Sequence, residues 1–441
     1  MGTIILTIAF ITEVVFAAYC VITRSNQEKV GSFIRIGALG MFVLFTLVSV
    51  IQWGFRWYLL AVLLLIWAVL GTWTLVRNKA EKQEFRVGRT VLSAIGMFLL
   101  VLIALIPALI LPQYTPPKIT GTHEIATVNY TYTDQSRIET FTNTGENRKV
   151  NVEFWYPKDG GGPYPLVVFS HGTSTIKISN TSTFMELASN GYVVCSIDHP
   201  YHSLFTVDSS GHRTIIDNAY LQEYLDVTKG KYDEETSIRL EQKWMSLRIA
   251  DINFVLDTIL AKAKDTDSGA VYQMIDPGKI GLMGHSLGGE SSAQVARERN
   301  DIDAVVNLDA DLAGEYLDYV NGKWTLNDKP YPVPLLNIFS DVLERLMGTV
   351  SDPTNVIAVK HVLATAPNAY EVHLPGTDHL SFTDLPLVSP ALVWMINSSV
   401  PQAGGQEVDP LATIEKMNDL VLKFFNAYLK GEGGFTPAVT N

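Results

Sequence analysis

Apolar and polar positions divide the chain into two regions with different periods. Four long apolar runs come first, at residues 3–22, 36–53, 57–76 and 91–111. Each has about the ~20 residues needed to cross roughly 30 Å of hydrocarbon. Residues 1–111 are therefore expected to form a four-helix transmembrane domain. No Lys or Arg precedes the first run and no small-residue cleavage site follows it, so it reads as a retained helix rather than a secretion signal. Gly54-Phe55-Arg56 leaves little chain between the second and third runs and predicts a tight hairpin, with Trp53, Trp57 and Tyr58 as interfacial aromatics. Pro107, Pro112 and Pro116-Pro117 should end the fourth helix and begin a stiff connector.

Beyond Pro117 the period changes. Residues 149–156 (KVNVEFWY) alternate as a half-buried strand does. Short continuous apolar runs follow at 166–170, 192–197, 280–283, 304–308, 335–339 and 370–374. Helical patterns lie between them, at 184–189, 234–263, 287–299 and 411–428. Buried strands alternating with helices predict a mostly parallel sheet covered on both faces. Residues 112–148 are read as connector and first strands, and 149–441 as one α/β domain. Gly160-Gly161-Gly162 reads as a hairpin turn. The stretch 201–242, with Tyr201, Phe205, Tyr220, Tyr224 and Tyr232 among acidic residues, reads either as a cap over a pocket or as an acidic surface helix pair.

Composition sharpens the division. The chain of 441 residues is 47% hydrophobic and only 18% charged, which excludes disorder, collagen and a disulfide-rich miniprotein. Residues 1–111 carry a net +5 and the remainder −17. So acidic a domain argues against a nucleic-acid partner, because phosphate binding needs clustered cations. Within the first region, loop one carries Arg24, Lys29 and Arg35, loop two Arg56, and loop three Arg77, Lys79, Lys82, Arg86 and Arg89. Positive loops face the cytoplasm. Both termini and the α/β domain are thus expected outside, on a multi-pass plasma-membrane protein. Glu13 is the single acidic residue inside the four runs; such a carboxylate either has a function or is paired within the bundle. Two cysteines, Cys20 and Cys195, lie in apolar surroundings and offer neither a disulfide framework nor a zinc site.

In open parallel sheets, chemistry gathers at the carboxyl ends of the strands. Gly284-His285-Ser286-Leu287-Gly288 follows one apolar run and precedes a helical pattern. That is the setting of a nucleophile elbow, in which a serine sits on a sharp turn over a helix N-terminus. Ser170-His171-Gly172-Thr173 ends an earlier strand, where a second oxyanion amide belongs. The two donors would be the backbone N–H groups of Thr173 and Leu287. The base must follow the serine in this chain order. His379, in the loop Pro375-Gly376-Thr377-Asp378-His379, is preferred over His361 and His373, the latter inside a strand pattern. Asp309 and Asp341 both stand at strand ends, and either could orient the imidazole. Asp311 and Asp378 read as solvated loop carboxylates, and His199 and His202, just after a strand end, either as pocket-lining residues or, preferably, as solvated loop histidines. His123-Glu124-Ile125-Ala126-Thr127 lacks the second histidine of a zinc-protease helix. No nucleotide loop occurs, and neither metal nor cofactor is expected.

At this point the chain resembles the plasma-type (group VII) platelet-activating-factor acetylhydrolases and their bacterial relatives. The segments that carry the resemblance are 165–172 (PLVVFSHG), 187–200 (LASNGYVVCSIDHP), 233–242 (DEETSIRLEQ), 280–289 (IGLMGHSLGG), 306–310 (VNLDA) and 376–382 (GTDHLSF). The resemblance implies an α/β-hydrolase fold. It also implies that the acid is Asp309, in a Leu-Asp-Ala setting 23 residues after Ser286. The implied activity is that of a calcium-independent serine esterase acting on short or oxidised acyl chains, notably of phospholipids; the lipid bilayer is expected as a partner on the four apolar runs alone. The four apolar runs depart from the secreted animal enzymes, and so does 385–410, which reads as a longer loop. The competing readings are a catalytically silent sensor that keeps the fold, and a transporter subunit.

Overall fold

The structure, a computed structural model, describes residues 1–77, 84–349, 357–366, 368–399 and 408–437. Its contacts divide the chain into two units, residues 1–115 with 387–395, and residues 116–386 with 396–441.

The first unit is built from α1 (Gly2–Thr23), α2 (Glu28–Leu47), α3 (Tyr58–Arg77) and α4 (Val87–Ile110). All four are long and apolar enough to cross a membrane. Phe42, Trp57, Leu60, Leu64, Val101 and Leu105 pack inward, while Ile22, Val76 and Leu92 stay mostly exposed. An apolar exterior around a small core is what a helical bundle presents to lipid. The second helix begins eight residues before the apolar run that marks it. Glu28 in its first turn suits the positive end of the helix dipole, and Ser32 bonds back to the Glu28 carbonyl. Lys29 and Arg35, read as loop cations, therefore stand on α2. Lys79 and Lys82 lie outside the described residues. Helix α4 runs on through Pro107 to Ile110.

The second unit holds an eight-stranded sheet. Its strands are β1 (Ile125–Ile138), β2 (Asn147–Pro157), β3 (Tyr164–Ser170), β4 (Val193–Asp198), β5 (Ile275–His285), β6 (Ala304–Leu308), β7 (Leu335–Phe339) and β8 (Ala369–His373). They lie in the order β1-β2-β4-β3-β5-β6-β7-β8. Pairings β1/β2 and β2/β4 are antiparallel and the rest parallel. Strand β4 separates β2 from β3, so Gly160-Gly161-Gly162 is no hairpin turn but the start of a crossover.

Alternation along each buried strand feeds two cores. Leu166 and Val168 of β3, Leu282 of β5 and Val305 of β6 point to one face, with α6 (Asn218–Thr228), α7 (Glu234–Lys264) and α8 (Leu287–Glu298). Val167, Phe169, Met283 and Val306 point to the other, with α5 (Thr181–Ser189) and α9 (Pro410–Phe425). Asp233 caps α7 by accepting the Thr236 N–H at 2.8 Å, and Lys262 and Lys264 occupy its last turn. Both signals match the helix dipole. Within 201–242, a small hairpin (Phe205–Val207 with Arg213–Ile215) precedes α6. Its buried Tyr220 stacks on His202 and meets Trp244 edge-on. The segment read as a longer loop contains a helical turn (Leu385–Val388) and a helix (Pro390–Ser399).

Candidate active site

Strand register sets the site. Ser170 of β3 lies opposite Gly284, His285 opposite Leu308, Leu308 opposite Ile338, and Phe339 opposite His373. The carboxyl ends of five neighbouring strands thus form one row. The residues that follow them directly are His171 to Thr173, Ser286, Asp309, Ser340 with Asp341, and the loop to His379.

Ser286 joins β5 to α8 with φ 54° and ψ −134°, a left-handed conformation that costs a non-glycine residue about 1–3 kcal/mol. Surrounding contacts impose it. The Ser286 N–H donates to the Leu308 carbonyl at 2.9 Å, and the Ser286 carbonyl accepts from Gly289 at 2.7 Å. A β-carbon on Gly288 would collide with the Ser170 carbonyl oxygen, and one on Gly172 would lie 2.7 Å from His285 Nδ1 and 3.3 Å from Ser286 Cβ. The serine is therefore wedged against the turn that ends β3. Among the described residues, no hydrogen bond uses the backbone N–H of Thr173 or Leu287. Leu287 opens α8, where amides lack helical partners.

His379 Nδ1 lies 2.6 Å from Asp309 Oδ2. Asp309 is buried and also accepts the Ser340 N–H at 2.7 Å and its hydroxyl at 3.0 Å. Burial alone would push the imidazole down, but the hydrogen bond and charge of Asp309 outweigh it and hold His379 above the usual histidine value. Burial likewise opposes ionisation of Asp309, yet the His379 and Ser340 donors hold it below the ordinary carboxylate range. The alternative acid is engaged elsewhere. Asp341 meets His373 Nε2 at 2.7 Å and accepts the Gly376 N–H at 3.1 Å. His361 stands on a separate helix with its Nε2 against the Asn327 carbonyl. His285, beside the serine, is driven down to about 3 by burial and by the His379 ring. Neutral, it donates from Nε2 to the His379 carbonyl at 2.9 Å, and the two rings lie 4.6 Å apart. This contact ties the base loop to the elbow. Among the described residues no hydrogen bond joins the Ser286 hydroxyl to His379; such bonds are often loose until substrate is present.

The structure overturns two groups of expectations. His199 and His202 are not solvated, being 0% and 3% exposed. Burial drives His199 down to about 4, so it is neutral. It donates from Nδ1 to Asp251 at 3.0 Å and accepts the Ser170 hydroxyl at Nε2, 2.9 Å away. This chain has the order of a hydrolytic relay, but Ser170 is 1% exposed and the chain braces the β3 turn. Asp311 and Asp378 are not merely solvated either. Asp311 accepts from the Tyr316 hydroxyl and the Val359 N–H, and Asp378 caps the turn that carries His379.

One residue at the site escaped the sequence pattern. Arg248 of α7 is 0% exposed. Its guanidinium donates to the carbonyls of His171, closely, and of Gly172, at 3.4 Å. His171 Nδ1 also donates to the Gly172 carbonyl at 2.7 Å. The turn that carries Thr173 is thereby held from both sides. The available signal was an arginine on the buried stripe Trp244, Met245, Arg248, Ile252, Val255. Cys20 and Cys195 are buried and form no disulfide. Among the described residues no group of three or more metal-ligating side chains occurs.

A family model described as platelet-activating factor acetylhydrolase, isoform II, matches residues 113–436. The chain is 25% identical over 289 residues to the platelet-activating factor acetylhydrolase of Canis lupus familiaris, covering 62% of this chain and 59% of that protein. It is 24% identical over 292 residues to that of Gallus gallus, covering 61% and 63%. A probable 1-alkyl-2-acetylglycerophosphocholine esterase of Arthroderma benhamiae is 23% identical over 243 residues, or 54% of each chain. The chain thus spans a little over half the length of these relatives. Among solved structures, a ferulic acid esterase from Streptomyces cinnamoneus superposes with a TM-score of 0.50 at 19% identity, over 73% of this chain and 96% of its own. That likeness is one of fold, the α/β-hydrolase fold.

Proposed function

Since the chain belongs to the platelet-activating factor acetylhydrolase family of the isoform II description, we propose that it is a serine-dependent carboxylic ester hydrolase acting through an acyl-enzyme. Ser286 attacks the ester carbonyl, and His379 takes its proton and passes it to the leaving alcohol. Asp309 holds the tautomer that leaves Nε2 free to accept, and supports the imidazolium that forms. The amides of Thr173 and Leu287 receive the oxyanion, the position at which two fixed donors do most for acyl transfer. Water then attacks the acyl-enzyme with His379 again as base. The observation that carries this reading is the Asp309–His379 pair at 2.6 Å beside a serine held at φ 54° on the same strand-end row.

The substrate class we propose is an ester with a short or oxidised acyl chain, phospholipid esters included. The four N-terminal helices anchor the enzyme in a membrane. Their cationic loops point to the cytoplasm, and the hydrolase unit, residues 116–386 with 396–441, belongs to the outer face. A panel of p-nitrophenyl esters of graded acyl length, with a 2-acetyl phospholipid, tests the reading on the detergent-solubilised chain. Turnover should favour the shortest acyl groups and vanish in Ser286→Ala. Folded protein that turns over none of them would be the silent sensor instead.

A further inference from the structure

Two clefts open on the helical bundle of the first unit. One, of about 380 Å³, is lined by apolar side chains that include Ile5, Phe42, Leu60, Leu64, Trp67 and Val101. The other, of about 350 Å³, is polar and includes Asn26, Glu28, Ser32, Thr74, Arg89 and Ser93. Each is of the size that small-molecule sites occupy, roughly 300–1,000 Å³. Glu13, Arg35 and Met97 line both, so the cavities meet at these three side chains. The polar cavity is formed by the end of α1, the starts of α2 and α4 and the end of α3. It therefore stands at the end of the bundle that carries loops one and three.

The junction holds opposite charges that feel each other across the void without touching. Among the described residues, the hydrogen bond that Arg35 gives runs from Nη2 to the Met97 sulfur, at 3.4 Å, and a thioether is a weak acceptor. Among the described residues neither an ion pair within 4.0 Å nor a hydrogen bond joins Arg35 to Glu13. Ionisable groups at membrane depth are costly and persist where they meet a partner or a polar cavity. Here a cation and a carboxylate border the same void, with a polar chamber on one side and an apolar chamber on the other. A zwitterion satisfies both charges. A purely anionic head would satisfy Arg35 and repel Glu13. Among the described residues that line it, the mouth adds one charge of each sign, Arg89 and Glu28.

We propose that the bundle is a lipid-binding site for a zwitterionic glycerophospholipid, its phosphate on Arg35, its amine on Glu13, and one acyl chain in the apolar cavity. The site is independent of Ser286, and its test reads bound lipid rather than ester cleavage. Full-length chain, delipidated in dodecyl maltoside, is titrated with phosphatidylethanolamine, phosphatidylglycerol or palmitate and followed by native mass spectrometry. One equivalent of phosphatidylethanolamine should bind, at least tenfold more tightly than either anionic lipid. Arg35→Gln and Glu13→Gln should each weaken it about tenfold, and Ala38→Trp, which fills the apolar cavity, should abolish it. Monodisperse elution and an unchanged unfolding temperature certify each variant as folded. Equal binding of the three lipids, tighter binding of an anionic one, or unaltered binding by folded Arg35→Gln overturns the proposal.

Discussion

Replacing Arg248 by Met keeps most of the side-chain volume and removes only the guanidinium. The change leaves the His171 and Gly172 carbonyls without their buried charged donor. A hydrogen bond to a charged group contributes about 1.5–3 kcal/mol, so the turn bearing the Thr173 amide loses a restraint of that order at the His171 carbonyl and less at Gly172, whose longer bond is backed by His171 Nδ1. One oxyanion donor supplies about 2.7–4 kcal/mol to the transition state, or roughly 10²–10³ in rate. If Arg248 acts by aiming that donor, Arg248→Met should lower kcat about 100-fold and leave KM within about threefold, because the oxyanion forms only on the way to the tetrahedral intermediate. Arg248→Lys, with one donor restored, should recover part of the loss. Steady-state hydrolysis of p-nitrophenyl acetate measures the split. The rate of fluorophosphonate labelling should fall in parallel, since its phosphoryl oxygen occupies the same position. A folded Arg248→Met enzyme whose kcat stays within threefold of the parent, or which loses only KM, would refute the reasoning.

Further outcomes follow from the same contacts. Asp309→Asn should cost about 10⁴ in kcat, because the amide stabilises the wrong tautomer, whereas Asp341→Asn should stay within threefold; the reverse ranking in one ester assay would reassign the acid. The base form of His379 is needed and its proton is held more tightly than usual. The acid limb of kcat/KM should therefore fall above the ordinary histidine value of about 6.5, and residual Asp309→Asn activity should show it displaced downward. Arg148 bonds Asp251 through two nitrogens at 2.7 Å. Burial opposes charge on Asp251, but Arg148 holds it below the carboxylate range. Arg148→Met should thus lower unfolding free energy by about 3–5 kcal/mol, read by chemical denaturation of the solubilised chain.

Legibility in the sequence followed the range of the interactions. Strands β6 and β7 are readable to the residue, because a strand buried on both faces is a continuous apolar run with turn residues at its ends. The elbow is readable because its glycines, serine and following helix are contiguous. Choosing between Asp309 and Asp341 is not a local matter. Each ends a strand, and they differ only in which histidine faces them, a partner 70 residues away for one and 32 for the other. His199 and His202 look like loop residues for the same reason: their burial depends on α6 and on Asp251, 52 residues from His199. Gly160-Gly161-Gly162 carries every local mark of a hairpin turn, yet β4 enters between the strands it joins. Arg35 reads as a loop cation because it stands just before the apolar run, although the helix has already begun at Glu28.

The central claim is that Ser286 is the nucleophile. Incubation of the solubilised chain with a fluorophosphonate, followed by mass-spectrometric mapping, tests it most directly. The account predicts one adduct, on the peptide carrying Ser286, that forms more slowly in Asp309→Asn and is absent in Ser286→Ala. An adduct on another serine, or labelling that persists in folded Ser286→Ala, would contradict it.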